Sequence, residues 1–383
     1  MRKSKFALCL SLIFLLYSQS LMSMPGDSSK VYGVTVDAVN GLNNIVNSLH
    51  QLSRRPTVRI VFDEWIPAAE YTAPVNRIDT VADIMGEILD SYYMNQYSQN
   101  QFKNRVNEYL NELGDKVDIW EIGNEVNGEW LGSINSVLGK IGNAYSIIKN
   151  AGKKTALTLY YNHECWDNAG NEMFRWVNES LPDSIRMGVD YLLVSYYEDD
   201  CNNYQPNWQE VFDSLSVLFP NSKLGIGECG THHNNRKADY IRRYYSMDIT
   251  TPNYIGGYFW WYYKQDCVPV SNYLWYVLDS TINPPVLTNI GNGFNGVADY
   301  KLWNYPNPFN PSTKINFTLA ESDDVKLTVF NSLGQVIRVL ENNRLSKGEY
   351  SREFDASGLP SGVYYYVLKT TNNSLVNRMV LIK

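Results

Sequence analysis

A basic excess, a membrane-length apolar run and metal-spaced cysteines are all missing from this 383-residue chain. Lys and Arg total 33 against 40 Asp and Glu, a formal net charge of -7. No basic stripe is present, which excludes a nucleic-acid partner. The apolar run "FALCLSLIFLLY" is shorter than the roughly 20 residues that a spanning helix needs. The five cysteines show no CxxC spacing and the four histidines no HxxxH spacing, which argues against zinc. No internal repeat is visible. Phe is scarce too: 13 residues stand against 29 Tyr and 10 Trp. Tyr and Trp pair an apolar face with a polar handle, and that skew suits a carbohydrate surface.

What is present begins with an address. Arg2, Lys3 and Lys5 precede the apolar run, and Ser18, Ser20 and Ser23 follow it, as in a secretory signal. Cys9 lies inside the run, where a lipoprotein cysteine would not sit. Residues 1–24 are therefore expected to be a signal peptide, leaving no transmembrane segment in the mature protein. Cys165, Cys201, Cys229 and Cys267 then remain, an even count that favours disulfides in an exported protein.

Residues 30–283 alternate β-rich runs with amphipathic ones. "VYGVTV", "TVRIVF", "DIMGEIL", "VDIWEI", "TALTLYY", "DYLLVSYY", "KLGIGE" and "GGYFWWYY" read as strands. Between them, stretches such as "FKNRVNEYLNELG" and "WQEVFDSLSVLF" place apolar residues at helical spacing. Eight such units over about 250 residues predict an α/β fold, a (β/α)8 TIM barrel. The third strand is ambiguous, since "VADIMGEILDSYYM" fits a helix equally. Residues 284–300, rich in Pro, Gly and Asn, read as a linker. Residues 301–383 carry short alternating runs such as "TKINFTL" and "VYYYVLKT", the pattern of a small all-β immunoglobulin-like sandwich.

Reactive groups of such a barrel come from the C-terminal ends of its strands. Strand 4 ends on Asn124 and Glu125, strand 7 on Glu228, and strand 2 carries Arg59. Two glutamates across one mouth suit hydrolysis of a glycosidic bond with retention. One carboxylic acid protonates the leaving oxygen, and a carboxylate about 5–5.5 Å away attacks the anomeric carbon. Arg59 beside Glu228 would keep that carboxylate ionised. Each glutamate alone could equally be a strand-end or helix-start acid; the pair is what points to chemistry. Glu121 reads as a buried, paired structural acid.

"EIGNE" and "LGIGECG" at those strand ends resemble the clan A glycoside hydrolases, retaining enzymes on (β/α)8 barrels. The resemblance implies Glu125 as acid/base, Glu228 as nucleophile, Asn124 at the substrate 2-hydroxyl, and Arg59, Tyr196 and Trp261 around the pocket. Tyr197 or Trp260 would replace the latter two after a one-residue shift. Trp130 is the candidate stacking platform. The sequence departs from the clan where a His-x-Tyr often ends strand six, here "SYY", and where a His often follows strand three, here Ser91 or Tyr92.

"NYPNPFNPSTKINFTL", "FDASGLPSGVYYYVL" and the terminal "MVLIK" resemble the type A C-terminal sorting domain of the type IX secretion system. That implies a Gram-negative exporter, delivery to the outer-membrane surface or the medium, and the type IX machinery as partner.

Further expectations follow. The four mature cysteines fall on neighbouring catalytic-face loops, so Cys165–Cys201 and Cys229–Cys267 are the expected bridges. His232 and His233 read as a solvated loop or a sugar contact rather than a metal pair. Glu198 to Asp200 could bind calcium, though solvated loop charge is the default. The expected protein is an exported, monomeric hydrolase of a polysaccharide or oligosaccharide, cutting a bond read as β, with no cofactor and no metal. The alternatives are a carbohydrate-binding barrel without catalysis and a zinc hydrolase using His163, His232 and His233.

Overall fold

The computed structural model describes residues 30–283, 300–331, 335–371 and 374–383. The expected signal peptide and nearly all of the expected linker lie outside the described residues. Eight strands close in chain order into a parallel barrel: β1 Val31–Val36, β2 Thr57–Val61, β3 Asp83–Glu87, β4 Ile119–Gly123, β5 Lys154–Tyr160, β6 Tyr191–Tyr196, β7 Lys223–Cys229 and β8 Tyr254–Trp260. Helices on the outside connect them, which is the expected TIM barrel.

The chain folds this way because each strand has an apolar outward face for the helices and a second inward set. Val58 and Ile60 of β2 join the helix-facing core, while Arg59 between them turns inward. The helix Gln99–Leu113 starts at a reciprocal Ser98–Gln101 capping box and buries Phe102, Val106, Tyr109 and Leu113 at helical spacing. Its Arg105 is also buried and donates to the carbonyls of Ile88, Phe62 and Asp63. One guanidinium thus pins the chain just beyond β2 and β3.

Inside the barrel, Met85, Ile119, Ala156, Tyr191, Leu193, Ile255 and Phe259 form a small apolar plug. One pleat further along β3, β4 and β5, the same inward parity brings Glu87, Glu121 and Thr158. The interior therefore changes from apolar to polar towards the C-terminal ends of the strands.

Two local readings change. The ambiguous third segment is a strand over Asp83–Glu87, followed by a short 3-10 helix at Ser91–Gln96 that Asp90 caps. The eighth strand ends at Trp260, and Tyr263–Cys267 is helical. Pairing of β8 with β1 stops at Val34↔Trp260, so nothing beyond it extends the ladder.

The C-terminal region forms two antiparallel sheets. One holds β9 (Lys301–Tyr305), β10 (Ser312–Leu319) and β13 (Gly348–Asp355); the other holds β11 (Asp323–Asn331), β12 (Val336–Leu345), β14 (Gly362–Lys369) and β15 (Ser374–Leu381). In β10, buried Thr313, Ile315, Phe317 and Leu319 alternate with outward residues, as a sandwich requires. The expected strands included neither β9 nor, as a separate element, β12. The face of β12 is mostly exposed and charged or Asn-rich, which blurs the alternation. Among the described residues, no helix is long and apolar enough to cross a membrane.

Candidate active site

Arg59 is the hub of the barrel mouth. Its fully buried guanidinium meets three carboxylates: Nε lies 2.7 Å from Glu121, Nη1 2.6 Å from Glu228 and Nη2 3.1 Å from Glu87. Thr158 donates to Glu121 as well. Glu121 is thus the buried, paired acid that its parity suggested.

Two irregularities in the ladders aim the glutamates. On β7, Leu224 and Ile226 face the helices, and simple alternation would send Glu228 the same way. The register shifts between Val194↔Ile226 and Ser195↔Glu228, so Glu228 turns inward instead. Gly227 sits at the shift, where a Cβ would stand 2.6 Å from Leu193 Cβ. On β4 a second shift lies between Glu121 and Gly123, and Glu125 follows with φ 49°. Such a left-handed backbone at a non-glycine residue costs about 1–3 kcal/mol and recurs at functional sites. Bulges commonly re-aim a side chain beside a site in this way.

The glutamates then differ in their partners. Glu228 Oε1 accepts from Tyr197 Oη at 2.7 Å, and its Oε2 from Arg59, with Asn124 Nδ2 at 3.5 Å. Among the described residues no cation pairs with Glu125; its oxygens accept from Ser195 Oγ at 2.7 Å and Ser91 Oγ at 2.8 Å. Trp130 Nε1 donates to Ser91 in turn, at 3.1 Å. Burial pushes Glu125 up to about 8, with the charge of Glu228 adding to the rise and the two serines opposing it. Burial raises Glu228 too, but Arg59 and Tyr197 pull it back. Glu87 goes well above the usual carboxyl range, again by burial, with Arg59 opposing. Near neutral pH one glutamate of the pair keeps its proton, and the other is held by a guanidinium.

The remaining site candidates divide. Trp261 lies under Arg59, whose Cζ is 5.6 Å from the ring centre, and Trp130 is part-exposed against Tyr160. Tyr196 is not at the site. It is fully buried among Tyr161 and Trp208 and donates to the Tyr204 carbonyl, because it ends β6 on the outward side. Tyr197 takes its place. Gly230 passes between the rings of Tyr197 and Tyr262, where a Cβ would come within 3.0–3.1 Å of both. Trp260 is buried and bonded to Asp266 rather than facing the mouth. Asn127 and Glu129, conspicuous behind Glu125 in the sequence, fasten loops: Asn127 bonds Tyr160 and Asn171, and Glu129 accepts from the Asn168 backbone.

Reasoning from the sequence missed Glu87, Ser195 and the role of Ser91. Ser195 was visible as the first residue of "SYY", sharing inward parity with Leu193. Ser91 stood where the clan often has a histidine. Glu87 carried no signal beyond its place at the end of β3.

Of the expected bridges, Cys165–Cys201 forms, with Cα atoms 5.5 Å apart. Cys229–Cys267 does not: both are buried free thiols. Cys229 follows the inward Glu228 and so faces the helices, bonding the Tyr258 carbonyl. Cys267 packs by the helix Leu42–His50, where Ser48 donates to its carbonyl. Loop adjacency placed them as neighbours, and strand alternation separates them. Within Glu198–Asp200 only Asp200 is exposed charge: Glu198 is buried 2.5 Å from Arg243, and Asp199 accepts from Thr231.

Among solved structures, the endo-beta-1,4-mannanase of Thermotoga petrophila superposes with a TM-score of 0.44 at 11% identity, over 92% of this chain and 97% of that one. An endoxylanase from Clostridium papyrosolvens gives 0.42 at 12%, over 86% and 94%. A Cellulomonas fimi endo-beta-1,4-mannanase gives 0.40 at 10%, over 92% and 94%. At such scores the likeness says nothing of chemistry. No curated protein matches the chain. Residues 304–383 do match a family model, the secretion system C-terminal sorting domain, which marks the chain for type IX export to the cell surface or the extracellular space.

Proposed function

We propose that the barrel is a retaining glycoside hydrolase acting on a polysaccharide or oligosaccharide by double displacement. The observation that carries this reading is the contrast within the glutamate pair. Glu125, raised to about 8, can give a proton at neutral pH; Glu228, held by Arg59 and Tyr197, can attack. Pairs of carboxyls with separated proton affinities are how such sites assign acid and nucleophile. In the proposed cycle Glu125 protonates the leaving oxygen while Glu228 forms the glycosyl ester. Glu125, now ionised, then takes a proton from the water that opens the ester. Asn124 would contact the 2-hydroxyl next to Glu228, and Trp261 and Trp130 would offer faces to the sugar rings.

The test is hydrolysis of a polysaccharide panel by the full chain and two variants. Glu228→Ala should lose about 10⁴-fold or more in kcat, the scale of removing a covalent nucleophile. Glu125→Ala should slow poor leaving groups by about 10²–10⁴-fold while sparing activated aryl glycosides in the first step. Equal losses on both substrate types would remove Glu125 from the acid role. No hydrolysis by the folded wild type on any member would remove the reading.

A further inference from the structure

Apart from the glutamates, one cluster at the mouth unites side chains that favour metals. Asp199 lies in the turn after β6, and His232 and His233 lie in the turn after β7. His232 Nδ1 is 3.0 Å from Asp199 Oδ2, and His233 Nε2 is 3.8 Å from Asp199 Oδ1. Sequence adjacency suggested that the imidazoles point apart. The turn after β7 brings the rings within 4.0 Å, inclined at 42°, and both face the same carboxylate.

The carboxylate is only half satisfied. Its side chain is 2% exposed. Oδ2 accepts from Thr231 Oγ1 at 2.7 Å and from the His232 backbone at 3.1 Å, whereas Oδ1 has no hydrogen-bond partner. A buried oxygen in that condition is normally paired with a donor or a cation. One ligand atom from each residue falls within 4.8 Å of the others. Ligands on one zinc ion stand about 3.3–3.6 Å apart, given metal–ligand distances near 2.0–2.2 Å in a tetrahedron. His232 Nδ1, 3.0 Å from Oδ2, and His233 Nε2, 3.8 Å from the unpartnered Oδ1, bracket that spacing, and both imidazoles are exposed enough to adjust around one ion.

We propose that Asp199, His232 and His233 bind one divalent cation of the zinc type. Two imidazole nitrogens and one carboxylate oxygen form a donor set for such ions, with a fourth position open to water. Calcium and magnesium favour oxygen ligands instead. The ion would clasp the β6 turn to the β7 turn four residues beyond Glu228, behind the strip where Gly230 runs between Tyr197 and Tyr262. It takes no part in bond cleavage and is independent of what the barrel hydrolyses. His163 is not in the cluster; its ring stacks on Tyr204 at 4.2 Å.

The full chain, stripped with a chelator, is titrated with zinc chloride by calorimetry at neutral pH, with calcium chloride in parallel. One equivalent of zinc should bind, and thermal unfolding should shift upward with zinc concentration. His232→Ala and His233→Ala change exposed side chains. Each should weaken zinc binding at least as much as the about 10–100-fold lost with a supporting partner. Asp199→Asn should abolish binding, and the histidine variants decide the matter if that variant does not fold. Absence of a bound equivalent in the wild type, undiminished affinity in His233→Ala, or binding of calcium in place of zinc would each overturn the assignment.

Discussion

The barrel mouth and the C-terminal sandwich hold their acids in opposite ways. In the sandwich, Ser357 holds Asp355 below the usual carboxyl range through its side chain and backbone. Glu341 is also pulled down: burial works against the shift, but Arg352, Asn343 and the Asn342 backbone outweigh it. At the mouth, burial wins instead, and Glu87, Glu125 and Glu228 are all raised. Glu341 and Asp355 are satisfied hydrogen-bond partners at the edge of an apolar core. At the mouth Glu87, Glu121 and Glu228 crowd around one guanidinium, which stability alone would not favour, since buried ions are expensive to desolvate. Perturbed carboxyls clustered at strand ends are what the proposed site requires.

The sharpest way to break that contrast is to remove the hub. Arg59→Met leaves Glu87, Glu121 and Glu228 buried without their cation, and should cost about 3–5 kcal/mol in chemical denaturation. Glu341→Gln in the sandwich weakens a pair whose Arg352 is part-exposed, and should cost less, about 1–2 kcal/mol, with hydrolysis unchanged. Similar losses at both sites would mean that the mouth is an ordinary structural network.

A second way is to vary pH. If Glu125 is the acid, kcat/KM should fall as pH rises through about 8, because the proton it donates is then lost. The acidic limb should lie above 4.5, where the raised Glu228 ionises. Stability carries the same signature. Between 4.5 and about 8 folded Glu125 keeps a proton that the unfolded chain releases, so its contribution declines across that window and levels off above it. Glu125→Gln should flatten both the alkaline limb and that decline. An alkaline limb unmoved by the substitution would assign it to another group.

The smallest effect is expected from deleting the sandwich. A chain ending at residue 300 should keep its kcat/KM in vitro and lose delivery to the cell surface, since residues 304–383 are the sorting domain. Loss of hydrolysis by a folded truncated barrel would show that the sandwich helps hold substrate.

Much of this was legible in the residues. Eight β-rich runs separated by amphipathic ones give the barrel, and Asn124, Glu125, Glu228 and Arg59 at counted strand ends give the centre of the proposed site. What eluded the sequence was where alternation breaks. The register shifts at Glu121/Gly123 and at Ser195↔Glu228 have no signature stronger than a glycine nearby. Because alternation has period two, one shift decides which of two neighbours faces in. That explains why Cys229 faces the helices and not the mouth; Tyr196, by contrast, is outward by the regular alternation of β6, which Leu193 and Ser195 already set. The convergence of His232 and His233 on Asp199 depends on a turn whose path adjacency does not predict.

The most direct test of the glutamate pair is the configuration of the first product. Proton NMR of a wild-type digest, recorded before mutarotation, reads which anomer is released from whichever polysaccharide in the panel is cut. Double displacement through Glu228 predicts the same anomer as the substrate bond. Appearance of the opposite anomer first would contradict a covalent step and with it the roles proposed for Glu125 and Glu228.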